Sequence, residues 1–214
     1  MPRKPLTARN GPSGRLPPTQ VRSLERYEAI LLATESEIGE VGFEELTITR
    51  IADRAGITST SIYRYFESVE EILAVLTERN IKQLEREIQP LVSESVTTQA
   101  LIEAFAAALR QSWAMYHSRP VAKGIWTATR FLRNLRELDD ALNARSVELF
   151  VARGQLLQPN VDAGELRMVL TLFVGLATPM LDLAIHQPKR SQSRIVDEYI
   201  ELAVARLGKV LGPI

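Results

Sequence analysis

The 214-residue chain has no cysteine, only two histidines, and acidic and basic residues in equal number. Without cysteine it builds neither a disulfide framework nor a Cys-based zinc finger, and this composition suits a reducing cytoplasm, the expected location. His117 and His186 stand far apart and belong to no ligand-spaced cluster, so no metal site is expected. No Ser/His/Asp set and no Gly-rich phosphate loop can be read in the chain, so neither an enzyme nor a cofactor is expected. No apolar stretch follows the early positive charges as a secretory signal would require. The uncharged run Met168–Leu181 ends at Asp182. A membrane span needs about 20 such residues, so no membrane partner is expected.

A net charge of zero argues at first against nucleic acid. The distribution of charge reverses that impression. Residues 1–24 carry Arg3, Lys4, Arg9, Arg15 and Arg22 and no acid. Residues 1–20 therefore read as a flexible basic arm, suited to phosphate or minor-groove contact or simply to solubility. Apolar content of 45% is ordinary for a globular protein, and the length allows a sizeable core.

What is present is concentrated in Leu46–Phe66, LTITRIADRAGITSTSIYRYF. Ile48, Ile51, Ala52 and Ala55 fall at i, i+3, i+4 and i+7, the apolar stripe of a helix. Thr47 is placed to cap its first turn, and Gly56 to end it in a left-handed conformation. Thr58 is a plausible cap for a second helix through Phe66. With Ile62 at the centre of its buried side and about 100° per residue, Phe66 falls inward. Thr60 and Arg64 then come out at roughly 160° and 200°, flanked by Ser61 and Tyr63, with Ser59 and Tyr65 nearer the core boundary. Hydroxyls and tyrosines bond phosphate oxygens, and an arginine bonds phosphate or guanine. Ser68-Val69-Glu70-Glu71 is a capping-box pattern that opens a further helix.

The segment from about Tyr27 to Leu73 resembles the N-terminal domain of the TetR family of bacterial transcriptional repressors. The resemblance lies in Ile30-Leu31, Gly42-Phe43, Leu46-Thr47, Ile51-Ala52, Ala55-Gly56-Ile57, Ile62–Phe66 and Glu71-Ile72-Leu73. Thr60 departs from the family's usual Gly, Pro or Ala, and Val69 from a phosphate-binding Lys. The resemblance implies DNA contacts from Thr47, Thr49, Thr58, Ser59, Thr60, Ser61, Tyr63, Arg64 and Tyr65.

Beyond this segment the patterns are helical, with no strand-like alternation of useful length. Pro90 is expected to end the fourth helix. Stripes follow through Ile102–Tyr116, through Ile125, Ala128, Leu132 and Leu135, and through Leu142–Leu156. Two helices close the chain, from Asp162 to about Gln187 and from about Ser191 to Leu207. The fold expected is all-α, of about nine helices. A three-helix DNA-binding domain at 21–67 would precede a larger helical ligand-binding and dimerisation domain at 68–214. The run Met168–Leu181, apolar nearly all round, needs cover on most sides, and Ile195, Tyr199, Leu202, Ala203 and Leu207 offer a partner surface. The resemblance implies a homodimer through these last two helices. It also implies a pocket for a small organic effector, with Trp113, Tyr116, His117, Trp126, Arg130, Phe131 and Asp182 as candidate lining.

The function expected is that of a ligand-responsive homodimeric repressor on a palindromic operator in double-stranded DNA. The alternative is a helical protein-interaction module whose helix-turn-helix no longer reads DNA.

Overall fold

A computed structural model describes residues 21–212, and every regular element among them is a helix. In chain order these are α1 (Val21–Val41), α2 (Ile48–Ala55), α3 (Ser59–Ile62), α4 (Val69–Ser93) and α5 (Thr98–Ser118). They continue as α6 (Pro120–Phe131), α7 (Arg133–Leu157), α8 (Ala163–Ile185) and α9 (Lys189–Leu211). The expected basic arm at 1–20 lies outside the described residues.

Local chemistry sets many of the boundaries. The hydroxyls of Thr47, Thr58, Ser68 and Thr97 accept from Arg50, Ser61, Glu71 and Ala100 backbone N–H groups. The Asp162 carboxylate accepts from Gly164 and Glu165. Each satisfies a donor that a helix start leaves without an intrahelical partner. Gly56 ends α2 at φ 65°, a conformation costly for any residue with a Cβ. The capping box at Ser68 is shifted: Glu71 accepts from the backbone of Glu67, one residue before the cap.

Two apolar cores form. One gathers Ile30, Leu31, Ile51, Ile62, Phe66 and Ile72 from α1 to α4. The other is built from α4, α5 and α7 to α9 around Phe105, Tyr116, Phe150, Leu170 and Ile200. Helix α6 belongs to both, with Ile125 and Ala128 in the first core and Ala122 and Trp126 in the second. It also approaches α1 closely. A Cβ added at Gly124 would lie 2.2 Å from Ile38 Cγ2, so only glycine fits there.

Three sequence expectations are corrected. Pro90 sits inside α4, which runs to Ser93. Pro90 forfeits one backbone bond to the preceding turn, and Val92, buried in the second core, carries the helix on past it. The stripe Ile125–Leu135 is divided, because Leu132 is extended at φ −100° and ψ 116°. The single extended residue leaves Leu135 buried in the first core, so the break is invisible to periodicity. Finally, the second helix of the Leu46–Phe66 segment is α-helical only over Ser59–Ile62. It continues as a tightened turn in which Tyr65 and Phe66 both donate to the Ile62 carbonyl.

Helix α8 has 23 residues and is long and apolar enough, by length and composition, to cross a membrane. In the fold it packs against α7 and α9. Its outer stripe of Met168, Leu172, Leu176 and Leu183 is between 46% and 60% exposed.

Candidate nucleic-acid interface and effector cavity

The α2–α3 unit is held from behind. Ile51, Ile62 and Phe66 are fully buried, and Phe66 stacks on Tyr27 at 4.9 Å. Burying each such side chain contributes roughly 1.5–3 kcal/mol, ample to fix one turn of helix that would not survive alone.

With that side fixed, Thr60, Tyr63 and Arg64 face out, Tyr63 being 52% exposed. Thr47, Thr49 and Thr58 are exposed, while Ser59 and Ser61 are partly covered. Two of these hydroxyls also have local duties. Thr47 and Thr58 cap their helices, and the Thr58 and Ser61 hydroxyls lie 2.9 Å apart. Tyr65 is turned toward α1: its hydroxyl accepts from Ser23 Oγ at 3.2 Å, and its ring meets Tyr27 edge-on at 6.4 Å. The apolar Val69 packs partly against the first core.

A feature that the sequence reading missed sets the angle of α2. Glu37 of α1 is buried and accepts from Arg54 Nε and, at 2.9 Å, from Arg50 Nε. Arg54 also donates to Ser36 at 2.8 Å and pairs with Glu40. The bonds from Arg54 first, and Arg50 second, hold the Glu37 carboxyl below its ordinary pKa. Arg50 and Arg54 stand four apart on α2, opposite Ser36, Glu37 and Glu40 on α1, and that spacing was the available signal. A second ion pair, Arg79 to Glu28, ties α4 to α1 through two guanidinium nitrogens, one at 2.7 Å, and Arg79 also lies over the Tyr27 ring.

In the C-terminal half a cavity of about 80 Å³ lies among α4 to α8. Leu84, Ile88, Phe105, Leu109, Phe150 and Leu181 give it apolar walls. Asn80, Glu85, Asp139 and Asn143 form a polar side. Of the expected lining residues, Trp126 is on the cavity wall.

The others lie around it. Tyr116 is buried and stacks on Trp126 at 5.3 Å, and its hydroxyl reaches Asp182 Oδ1 at 3.4 Å. Asp182 in turn borders a separate pocket with Lys123, His186, Gly42 and Phe43, at the junction with the reading head. Trp113 and His117 face each other at 5.0 Å. Phe131 is 70% exposed and stacks on Phe43. The Arg130 side chain lies outside the described part of the structure. Among the described residues no group of three or more His, Cys, Asp or Glu side chains is placed to hold a metal.

Comparison with known proteins accords with this two-part arrangement. Residues 30–76 match the family model for bacterial regulatory proteins of the tetR family. Residues 99–210, more than half of the chain, match the tetracyclin repressor-like C-terminal domain. The A-factor receptor protein of Streptomyces griseus is 27% identical over 166 residues, 73% of this chain. The chain spans about half that relative's length, the match covering 55% of it.

Among solved structures, a TetR-family transcriptional regulator from Streptomyces coelicolor superposes with a TM-score of 0.68 at 24% identity. That match covers 88% of this chain and 98% of the other. SmeT, the repressor of a Stenotrophomonas maltophilia multidrug efflux pump, gives 0.67 at 18% identity, covering 83% and 88%. At these identities the structures establish a shared fold, and the family models extend the likeness to both halves of the sequence. The chain belongs to the tetR family of bacterial regulatory proteins.

Proposed function

We propose that the protein is a cytoplasmic, homodimeric transcriptional repressor that binds a palindromic operator and is released by a small organic effector. One observation carries this reading: Thr60, Tyr63 and Arg64 are presented outward on a turn whose opposite side, Ile62 and Phe66, is wholly buried. Such a turn fits a major groove, with phosphate contacts from Thr47, Thr49, Thr58, Ser59, Ser61 and Tyr63 and base or phosphate contact from Arg64. Tyr65, bonded to Ser23, serves more as a brace for the turn than as a reader.

The exposed α8 stripe supports a second copy docking there, which would place two reading heads about one helical turn of DNA apart. Of the α9 residues expected at that surface, Leu202 is exposed, whereas Ala203 and Leu207 pack within their own subunit. The groove between α8 and α9, lined by Leu176, Leu183, Ile195 and Leu202, is continuous with the stripe.

Two relatives are described through small molecules: the A-factor receptor protein, and SmeT, solved as a triclosan complex. By analogy the α4–α8 cavity is the effector site. At about 80 Å³ it is smaller than the roughly 300 Å³ or more of a typical ligand pocket, so binding requires it to open. Trp126 is on its wall, and α6 carries Trp126 in one core and Ile125 in the other. A ligand that displaces Trp126 therefore moves α6 against α1, alongside any shift of α4. The repressor is released to the extent that the ligand prefers that displaced form.

Titration of the full chain onto duplex DNA at several salt concentrations tests the DNA reading. Affinity should fall steeply with salt as counterions leave the duplex. A salt-insensitive or absent interaction would favour a protein-interaction module instead.

A further inference from the structure

The cavity's polar side is acidic and amide in character. Asp139 and Glu85 contribute carboxyls, Asn80 and Asn143 amides, and Ser112, Ser146 and Thr178 hydroxyls. Among the described residues no Lys, Arg or His lines it. The two carboxyls are not equivalent. Glu85 lies 3.3 Å from the Arg145 guanidinium, which compensates its charge from outside the cavity. Asp139 has no ion pair among the described residues and accepts one bond, from the Asn143 amide at 3.2 Å. Burial raises its pKa, and the neighbouring Asp140 adds to the shift. A desolvated carboxylate of this kind gains most from a cation delivered to it. Phe105, Trp126 and Phe150 also line the cavity, aromatic surface that suits a cation and an apolar body, while the described lining holds no cationic side chain to pair with an anion.

We propose that the effector is a protonated amine on an apolar, preferably aromatic, body, its ammonium group held by Asp139 with Asn143 beside it. This rests on the reading of the α4–α8 cavity as the effector site. The Asn143 amide fixes one Asp139 oxygen and leaves the second for the incoming N–H group. The aromatic walls then cover the body of the ligand.

Three compounds of equal length separate charge from shape: 4-phenylbutylamine, 4-phenylbutanol and 4-phenylbutanoate. Each is titrated calorimetrically into the full chain, into Asp139→Asn, and into Ala177→Phe, which adds a ring at the cavity wall. The amine should bind roughly ten- to a hundredfold more tightly than the alcohol, the range expected for a hydrogen bond to a charged group. Asp139→Asn should abolish that preference by weakening the amine far more than the alcohol, and Ala177→Phe should weaken both compounds. If alcohol or carboxylate binds as tightly as amine, or if the amine preference survives Asp139→Asn, and Ala177→Phe still weakens binding, the charge assignment is overturned and the cavity stands. If no compound binds, or if binding is indifferent to Ala177→Phe, the cavity reading falls and the amine proposal falls with it.

Discussion

Arg64 faces out from the α2–α3 unit, and Glu37 faces in from α1 to hold α2. Arg64 is exposed on a turn whose buried anchors are Ile62 and Phe66, so Arg64→Ala would remove the proposed DNA contact and no core packing. It should weaken operator binding by about 1–3 kcal/mol in a mobility-shift titration at fixed salt, with an unchanged thermal midpoint. Tyr63→Phe deletes a hydroxyl and little volume. It should weaken binding by a smaller amount, about 1 kcal/mol, and by a similar factor on every sequence if the hydroxyl meets phosphate.

Glu37 predicts a pH dependence. Its folded pKa lies below the ordinary value of about 4.3, so its pairing with Arg54 and Arg50 stabilises the protein above that pH. This contribution disappears as pH falls through the folded value. Thermal midpoints of Glu37→Gln should therefore be lower than wild type near neutrality, and the gap should close as pH falls below the ordinary carboxylate range. A gap that is constant with pH would show that the carboxylate's charge is not what braces α2. The outward set Thr60, Tyr63 and Arg64 was readable from angle alone. The turn of Tyr65 toward Ser23 was not, because its angular position near the boundary is compatible with either side.

Among the elements, capped helix starts were legible and helix ends less so. Caps and a left-handed glycine are local signals, so Thr47, Gly56, Thr58 and Ser68 marked their boundaries directly. Pro90 misled because its cost, one lost backbone bond and crowding of the preceding turn, is offset here by the burial of Val92 just beyond it. Leu132 misled because an extended residue between two helices can leave the apolar phase intact. The cavity lining was read least well, since it depends on how four long helices cross. The candidate aromatics were chosen on α5 and α6, whereas the polar side of the cavity is built largely from α4 and α7.

Gly124→Ala puts a Cβ against the stiff, buried side chain of Ile38 and should lower stability by about 1–3 kcal/mol in denaturant unfolding. Adding Ile38→Ala should cost less than the sum of the two single changes, since it makes room for the new methyl group. Strict additivity would mean that α6 does not bear on α1 at this point.

The whole molecule joins an outward-facing helix-turn-helix unit to a larger helical core, with one apolar flank of α8 left uncovered. Met168, Leu172, Leu176 and Leu183 lie on one face of α8 and are too exposed to belong to their own subunit's core. Such a stripe is the mark of a partner surface. Leu172→Glu with Leu176→Glu should convert a dimer into monomers in sedimentation, with little loss of helix content. Operator binding should fall by far more than Arg64→Ala causes, because two linked heads bind as one unit. A protein that stays dimeric after these changes pairs through another face.

The most direct test of the central claim is selection of bound sequences from random duplex DNA by the full chain at moderate salt. The account predicts an enriched palindrome with half-sites about one helical turn apart, lost in Arg64→Ala. Recovery of no enriched sequence, or of one unaffected by Arg64→Ala, would contradict it.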